Sequence, residues 1–181
     1  MSEPLYLFVG KSASGKTTIA QILEEQYGHK SVSSYTTRPP RYDGESGHVF
    51  ISEDEFDQLG KLAAFTNYNG YRYGVTYEQL SQCDIYVIDV PGVKSLINNI
   101  YGTRPIVMIY FESAVSTRID RMIDRGASDM DIIKRLHHDD TTKDWFDDLF
   151  DLSKKCKINL HVVDANENIE NVLKQVLFYM R

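Results

Sequence analysis

Two short stretches of the chain carry residue types suited to holding phosphate: GKSASGKTT at positions 10–18 and SSYTTRPPR at positions 33–41. The first fits the pattern GxxxxGK[ST]. Glycines at 10 and 15 let successive backbone N–H groups curl around an anion, and a helix opening behind them aims its positive end at the same point. Gly10, Ser12, Ala13, Ser14, Gly15, Lys16, Thr17 and Thr18 therefore read as a cradle for a nucleoside triphosphate. Lys16 would reach the β- and γ-phosphates, and the Thr17 hydroxyl would coordinate Mg²⁺. In the second stretch, Pro39 and Pro40 hold the backbone extended. Arg38 and Arg41 are thus presented by a stiff turn, and two planar guanidinium forks suit a phosphate monoester. Taken alone, such a pair is more often solvated surface.

The elements around these stretches must position them. LYLFV (5–9), DIYVIDV (84–90), PIVMIYF (105–111) and INLHVV (158–163) are apolar nearly throughout, as central parallel strands are when helices cover both faces. Helical spacing predicts helices over 16–27, 92–101, 114–125 and 167–180. That alternation gives an α/β domain with a mostly parallel sheet. Two segments depart from it. Residues 32–80 are rich in Tyr, Gly and Ser, with a helical piece at SEDEFDQL and a hairpin signal at Asn69-Gly70. Residues 125–155 are charged and helical. They read as a small inserted subdomain and a mobile lid. Trp145, Phe146 and Phe150 are expected to pack the C-terminal helices.

The 181 residues suffice for one domain with a proper core. A net charge of −6 argues against wrapping nucleic acid, so an anion site has to be a local concentration of base. Cys83 and Cys156 lack CxxC spacing and are expected to be idle thiols in a reducing compartment. The remaining histidines, His29, His137, His138 and His161, have no metal-ligand spacing. The start MSEPLYLFVG has no signal-peptide pattern, and no apolar run approaches the ~20 residues of a membrane span. A cytoplasmic protein, monomer or homodimer, that acts on small molecules and contacts neither nucleic acid nor membrane is the expectation.

SSYTTRPPR followed by DGESGHVF, NGYRYG and VIDVPGVKSL, in this order behind the glycine loop, resembles the guanylate kinase family. The resemblance extends through MIDRGASDMDIIKRL to the last strand and helix. It implies a P-loop NTPase-type parallel sheet with helices on both faces, an inserted NMP-binding subdomain and a helical lid. The core would comprise residues 1–31, 82–124 and 156–181, the subdomain 32–81, and the lid with its following helix 125–155. It also implies an ATP- and Mg²⁺-dependent nucleoside monophosphate kinase, with GMP or dGMP as the default acceptor. Arg38 and Arg41 match the pair that grips the acceptor phosphate, Tyr73 a hydroxyl on the same phosphate, and Ser34 a polar contact near the base. Asp89 matches an aspartate between base and metal; it also reads as a cap of the turn before Pro91. Arg121, Arg125 and Arg135 match lid arginines, although the interval from 125 to 135 is one residue short, and Arg121 also fits a solvated helix face.

The departures from the family pattern concern the base. His48 stands where a phosphate-binding tyrosine is usual, Ala64 where a glutamate reads the guanine edge, and Val75 where a small hydroxyl residue follows YG. Unpaired guanine donors would cost ~1–3 kcal/mol each. Either another side chain takes over, with Asn67 and Tyr68 nearby in sequence, or the acceptor carries a different base. On this alignment Ala64→Glu is expected to shift preference toward guanine, and activity is expected to follow the titration of His48. The intact glycine loop argues against a non-catalytic guanylate-kinase-like binding module.

Overall fold

A computed structural model describes residues 3–141 and 145–181. The chain begins with β1 (Leu5–Val9), buried at every position, and α1 (Lys16–Tyr27). Next come β2 (Ser34–Thr36), β3 (His48–Phe50), the short α2 (Glu53–Asp57), β4 (Leu62–Tyr68) and β5 (Tyr71–Thr76). After α3 (Tyr77–Ser81), it forms β6 (Ile85–Val87), α4 (Val90–Ile100), β7 (Ile106–Glu112) and α5 (Val115–Asp124). It continues with α6 (Asp129–Thr141), α7 (Trp145–Cys156), β8 (Asn159–Asp164) and α8 (Ile169–Tyr179).

The main sheet has the order β6-β1-β7-β8, with every pairing parallel. Alternation along β1 explains why it is apolar throughout. Leu5, Leu7 and Val9 enter one core with Leu96, Trp145 and Leu149 from α4 and α7. Tyr6 and Phe8 enter the other with Leu23 and Val176 from α1 and α8. The parallel α/β sheet covered on both faces is thus as expected.

The inserted segment folds as a second sheet of order β3-β2-β5-β4. Its β4–β5 hairpin turns at Asn69 and Gly70, with φ of 51° and 80°. Two successive positive φ values are what a two-residue primed turn needs, and Tyr68 accordingly faces Tyr71. The α4 helix carries this sheet: β4 lies along it, and Asn99 Nδ2 donates to the Ala63 carbonyl at 3.1 Å.

Three details differ from expectation. The strand read as 84–90 pairs only over Ile85–Val87, and α4 starts at Val90 rather than Gly92. Asp89 caps it, accepting from Gly92 N–H at 2.8 Å, with Pro91 in the first turn. A Cβ on Gly92 would stand 2.7 Å from Asp89 Oδ1, so glycine is needed there. Of the three C-terminal aromatics, Trp145 is buried and Phe146 packs on Tyr110. Phe150 instead stays 45 % exposed, because Leu149 points into the core. The segment read as a lid forms α6 and α7, apart from residues 142–144, which lie outside the described residues.

Candidate active site

The glycine loop runs from β1 into α1. Gly10 has φ 152°, and a Cβ there would stand 2.7 Å from the Phe111 carbonyl, so the loop passes too close to β7 for any side chain. Gly15 caps α1 in the left-handed region. Lys16 turns back on its own loop: Nζ donates to the Gly10 carbonyl at 2.6 Å, the Lys11 carbonyl at 2.9 Å and Ser14 Oγ at 3.1 Å. Burial pulls its pKa down to about 8, because an ammonium away from water is disfavoured.

Across from the loop, a cavity of about 220 Å³ opens toward the second sheet. Gly10, Ser12, Ala13, Lys16 and Thr17 line one side. Ser34, Arg41, His48, Tyr73 and Asp89 line the other, and Arg125 and Arg135 reach in from α5 and α6. Twelve of the site residues expected from the sequence therefore share one space. A Thr17 hydroxyl in this wall fits a Mg²⁺ that takes its other ligands from nucleotide phosphates and water. Among the described residues no cluster of three His, Cys, Asp or Glu forms a cation site of its own.

Other expected residues lie behind the wall. Ser14 is buried within the loop. Arg125 Nη2 lies 3.5 Å from Thr18 Oγ1. Arg121 is not solvated helix face: Nη2 donates to the Ala165 carbonyl at 2.7 Å and Nη1 lies 3.4 Å from the Ala13 carbonyl, so it braces the loop from below. Arg38 is 8 % exposed and already engaged. Its Nε donates to Tyr73 Oη at 3.1 Å, while Nη1 and Nη2 donate to the Glu45 carboxylate at 3.1 and 2.8 Å. Glu45 also accepts from Arg41 N–H at 2.7 Å and Arg41 Nη1 at 3.3 Å. One carboxylate thus holds both arginines in register.

The base side departs from expectation in two places. Ala64 and Val75 face each other across β4 and β5 and are 2 % and 0 % exposed, within the apolar core rather than the cavity wall. The groups that do line that end are Thr66, Tyr68, Tyr86 and Trp145. Thr66 Oγ1 donates to Asp89 Oδ2 at 3.2 Å, so Asp89 caps α4 and faces the cavity at once. Burial raises the Asp89 pKa. His48 pairs with Ser34 across β2 and β3, with Nδ1 3.0 Å from Ser34 Oγ. Burial, reinforced by the Arg38 charge, pushes its pKa down to about 4, so the ring is neutral at physiological pH and does not titrate there. Of the two residues named in the sequence as substitutes, Tyr68 lines the cavity and Asn67 does not; sequence reasoning missed Thr66, although the hairpin signal fixes which β4 residues share a face. It also missed Glu45, Tyr86, and the buried pair of Arg118 and Asp139 under the loop.

No family model matches the chain. The guanylate kinase of Neisseria gonorrhoeae is 28 % identical over 181 residues, covering 89 % of this chain and 87 % of that protein. That of Fusobacterium nucleatum is 26 % identical over 130 residues, 66 % of this chain and 69 % of the relative. The fold matches the crystal structure of guanylate kinase from Anaplasma phagocytophilum with a TM-score of 0.64 and 21 % identity, over 99 % of this chain and 86 % of that one. The chain is thus similar to guanylate kinases in sequence and in fold. Guanylate kinases, as these relatives are named, are nucleoside monophosphate kinases. Among the described residues, no helix is long and apolar enough to cross a membrane.

Proposed function

We propose that the protein transfers the γ-phosphoryl group of ATP to a nucleoside monophosphate or deoxynucleoside monophosphate, with GMP or dGMP as the default acceptor. The observation that carries this reading is the shared cavity: Lys16 and Thr17 line it from the donor loop, and Arg41 and Tyr73 from the second sheet. A phosphate monoester on Arg41 and Tyr73 would face a triphosphate held at the loop. In this reading residues 32–81 form the acceptor subdomain, and residues 125–155 the lid and the helix after it.

The chemistry asks little of the side chains beyond placement. The acceptor phosphate oxygen is already a nucleophile, so no general base is needed. Lys16 leaves its loop carbonyls for the β- and γ-phosphates, and Arg125 and Arg135 neutralise charge on the transferring group. Glu45 keeps Arg38 and Arg41 rigid, and Arg38 in turn orients Tyr73 Oη. Bound Mg²⁺, carried in with the nucleotide and met by Thr17, would supply further charge neutralisation. Closing the lid segment excludes water, so that ATP is not hydrolysed instead.

For the base, Asp89 is the acidic residue among those lining the cavity. Each of its oxygens accepts one hydrogen bond, from Gly92 or Thr66, and retains capacity for another. In this reading it would accept from the guanine N1–H and amino group in place of the missing glutamate, with Thr66 and Ser34 lining the same cavity. A second reading, a non-guanine acceptor, is favoured by the burial of Ala64 and Val75 as an apolar pair. ADP release from Mg-ATP with each common NMP and dNMP decides between them. Selective turnover with GMP or dGMP, abolished by Lys16→Ala, supports the first reading, and turnover with another base the second. Silence across the panel with ATP bound refutes the kinase reading.

A further inference from the structure

Beneath the donor loop lies an ion pair without contact with water. Arg118 on α5 and Asp139 on α6 are both 0 % exposed, with Arg118 Nη1 donating to Asp139 Oδ2 at 2.7 Å. A buried pair of this kind rarely repays its desolvation, and an apolar pair of similar volume would serve stability as well. The pair is also imperfect as a structural bridge, because buried Arg118 Nε has no partner among the described residues.

What the pair does hold is the loop. Asp139 Oδ2 accepts from Ser12 N–H at 2.9 Å, and Oδ1 accepts from Ser12 Oγ at 3.3 Å. With the Ser12 hydroxyl donating to Asp139, Tyr68 Oη, 3.3 Å away, donates to Ser12 Oγ. The His138 ring meets the Tyr68 ring at 4.0 Å. Donor loop, acceptor hairpin and α6 therefore converge on Ser12.

Helical spacing connects this point to the cavity. Arg135 lies four residues before Asp139, on the same face of α6. Arg118, Arg121 and Arg125 fall at i, i+3 and i+7, one stripe of α5 and its C-cap. Arg121 braces the loop, and Arg125 and Arg135 reach the cavity. The ion pair is thus where the two arginine-bearing helices are fixed to each other and to the loop.

We infer that Asp139, with Arg118, is a positioning residue for phosphoryl transfer: it pins α5 and α6 to Ser12 so that Arg125 and Arg135 face the transferring group. This rests on the kinase reading above. Misplacing a charged group by about 1 Å can cost about 10²-fold in rate. The inference separates placement from stability. The Arg118→Leu/Asp139→Leu double variant fills the space with apolar side chains, and Asp139→Asn keeps shape and one acceptor oxygen while losing the charge. Steady-state kinetics with Mg-ATP and the preferred acceptor, alongside thermal melts, give the readouts. The double variant is expected to melt near the wild type and Asp139→Asn lower, because it leaves Arg118 buried without a counter-charge; both are expected to lower kcat about 10²-fold with the KM for ATP little changed.

A double variant as stable as the wild type and as fast would overturn the inference. Were it to misfold, an Asp139→Asn protein with wild-type kcat would overturn it equally. Wild-type turnover in the same assay separates the two failures. A silent wild type refutes the kinase reading and the inference with it, whereas an active wild type with an equally active variant refutes the inference alone.

Discussion

Raising the pH from 7.5 to 9 is expected to weaken Mg-ATP binding about eightfold, and the cause lies in one side chain. Lys16 is half-buried in the cavity wall and makes its three hydrogen bonds to neutral oxygens, and its pKa falls to about 8. Bound triphosphate supplies the counter-charge that the free loop lacks, so the ammonium in the complex stays protonated well above that value. Below pH 8 the free protein already carries the proton; above it, binding must take one up. At pH 8 about half a proton is absorbed per ATP bound. Isothermal titration calorimetry in two buffers of different ionisation enthalpy reads that uptake directly, and affinities across the pH range read the slope. Lys16→Met should bind weakly and without the slope.

The free protein carries the complementary signature. The folded pKa of Lys16 lies below its ordinary 10.5, so between pH 8 and 10.5 the unfolded chain binds more protons than the folded one. The contribution of this group to stability therefore rises with pH through that window, by about 3 kcal/mol in all. Subtracting the Lys16→Met stability profile from the wild-type profile isolates it. An ATP affinity flat from pH 7.5 to 9, with identical heats in both buffers, would refute the assignment of a depressed, phosphate-responsive Lys16.

Ala64→Glu, instead of restoring guanine preference, is expected to place an unpaired carboxylate in the core and destabilise by about 3–5 kcal/mol, read from the denaturant midpoint. A variant of wild-type stability with improved GMP turnover would put Ala64 in the base pocket after all. Asp89→Ala removes the α4 cap, lowering stability by about 1 kcal/mol, and it also raises acceptor KM; a loss of stability with acceptor KM unchanged would confine Asp89 to the capping role. His48 is neutral above its pKa of about 4, so the kcat/KM profile from pH 5.5 to 7.5 should carry no inflection that His48→Gln removes. Because its folded pKa lies below the ordinary 6.5, the stability it contributes falls as pH drops from 6.5 toward 4, and acid melts of the same variant should lose that part of the slope.

The parts legible in the sequence were those whose physics is local. A glycine loop between a buried strand and a helix needs only its own residues to bind phosphate, and Lys16 and Thr17 lie where the pattern places them. The Asn69-Gly70 turn likewise fixes the β4–β5 register on its own. That register puts residues 64, 66 and 68 on one face, yet only Thr66 and Tyr68 meet the cavity, because β4 runs along α4 and Ala64 is sealed into the apolar core there. Strand period gives the face, but not how far along it the covering helix extends.

The carboxylates were harder to read than the cations. Arginines, a lysine and backbone N–H groups announce a phosphate site by type and spacing. In the free protein those donors still need acceptors, and the chain supplies them from acidic residues that no motif marks. Glu45 occupies the forks of Arg38 and Arg41, Asp89 takes the N–H of Gly92, and Asp139 takes that of Ser12. Asp139 comes from 127 residues away, and nothing periodic in α6 distinguishes it from the exposed Asp129 and Asp131 of the same helix. An acidic chain of net charge −6 has many carboxylates to offer, and which of them serve as internal acceptors depends on the packing of helices onto the loop. Glu45 and Asp139 face outward from their anion-binding groups toward buried arginines, so they hold the donors in place without filling the cavity itself. A site assembled in this way meets its substrate with the cations already oriented; at Lys16 the phosphates replace neutral loop carbonyls, and at Arg38 and Arg41 they compete with the Glu45 carboxylate.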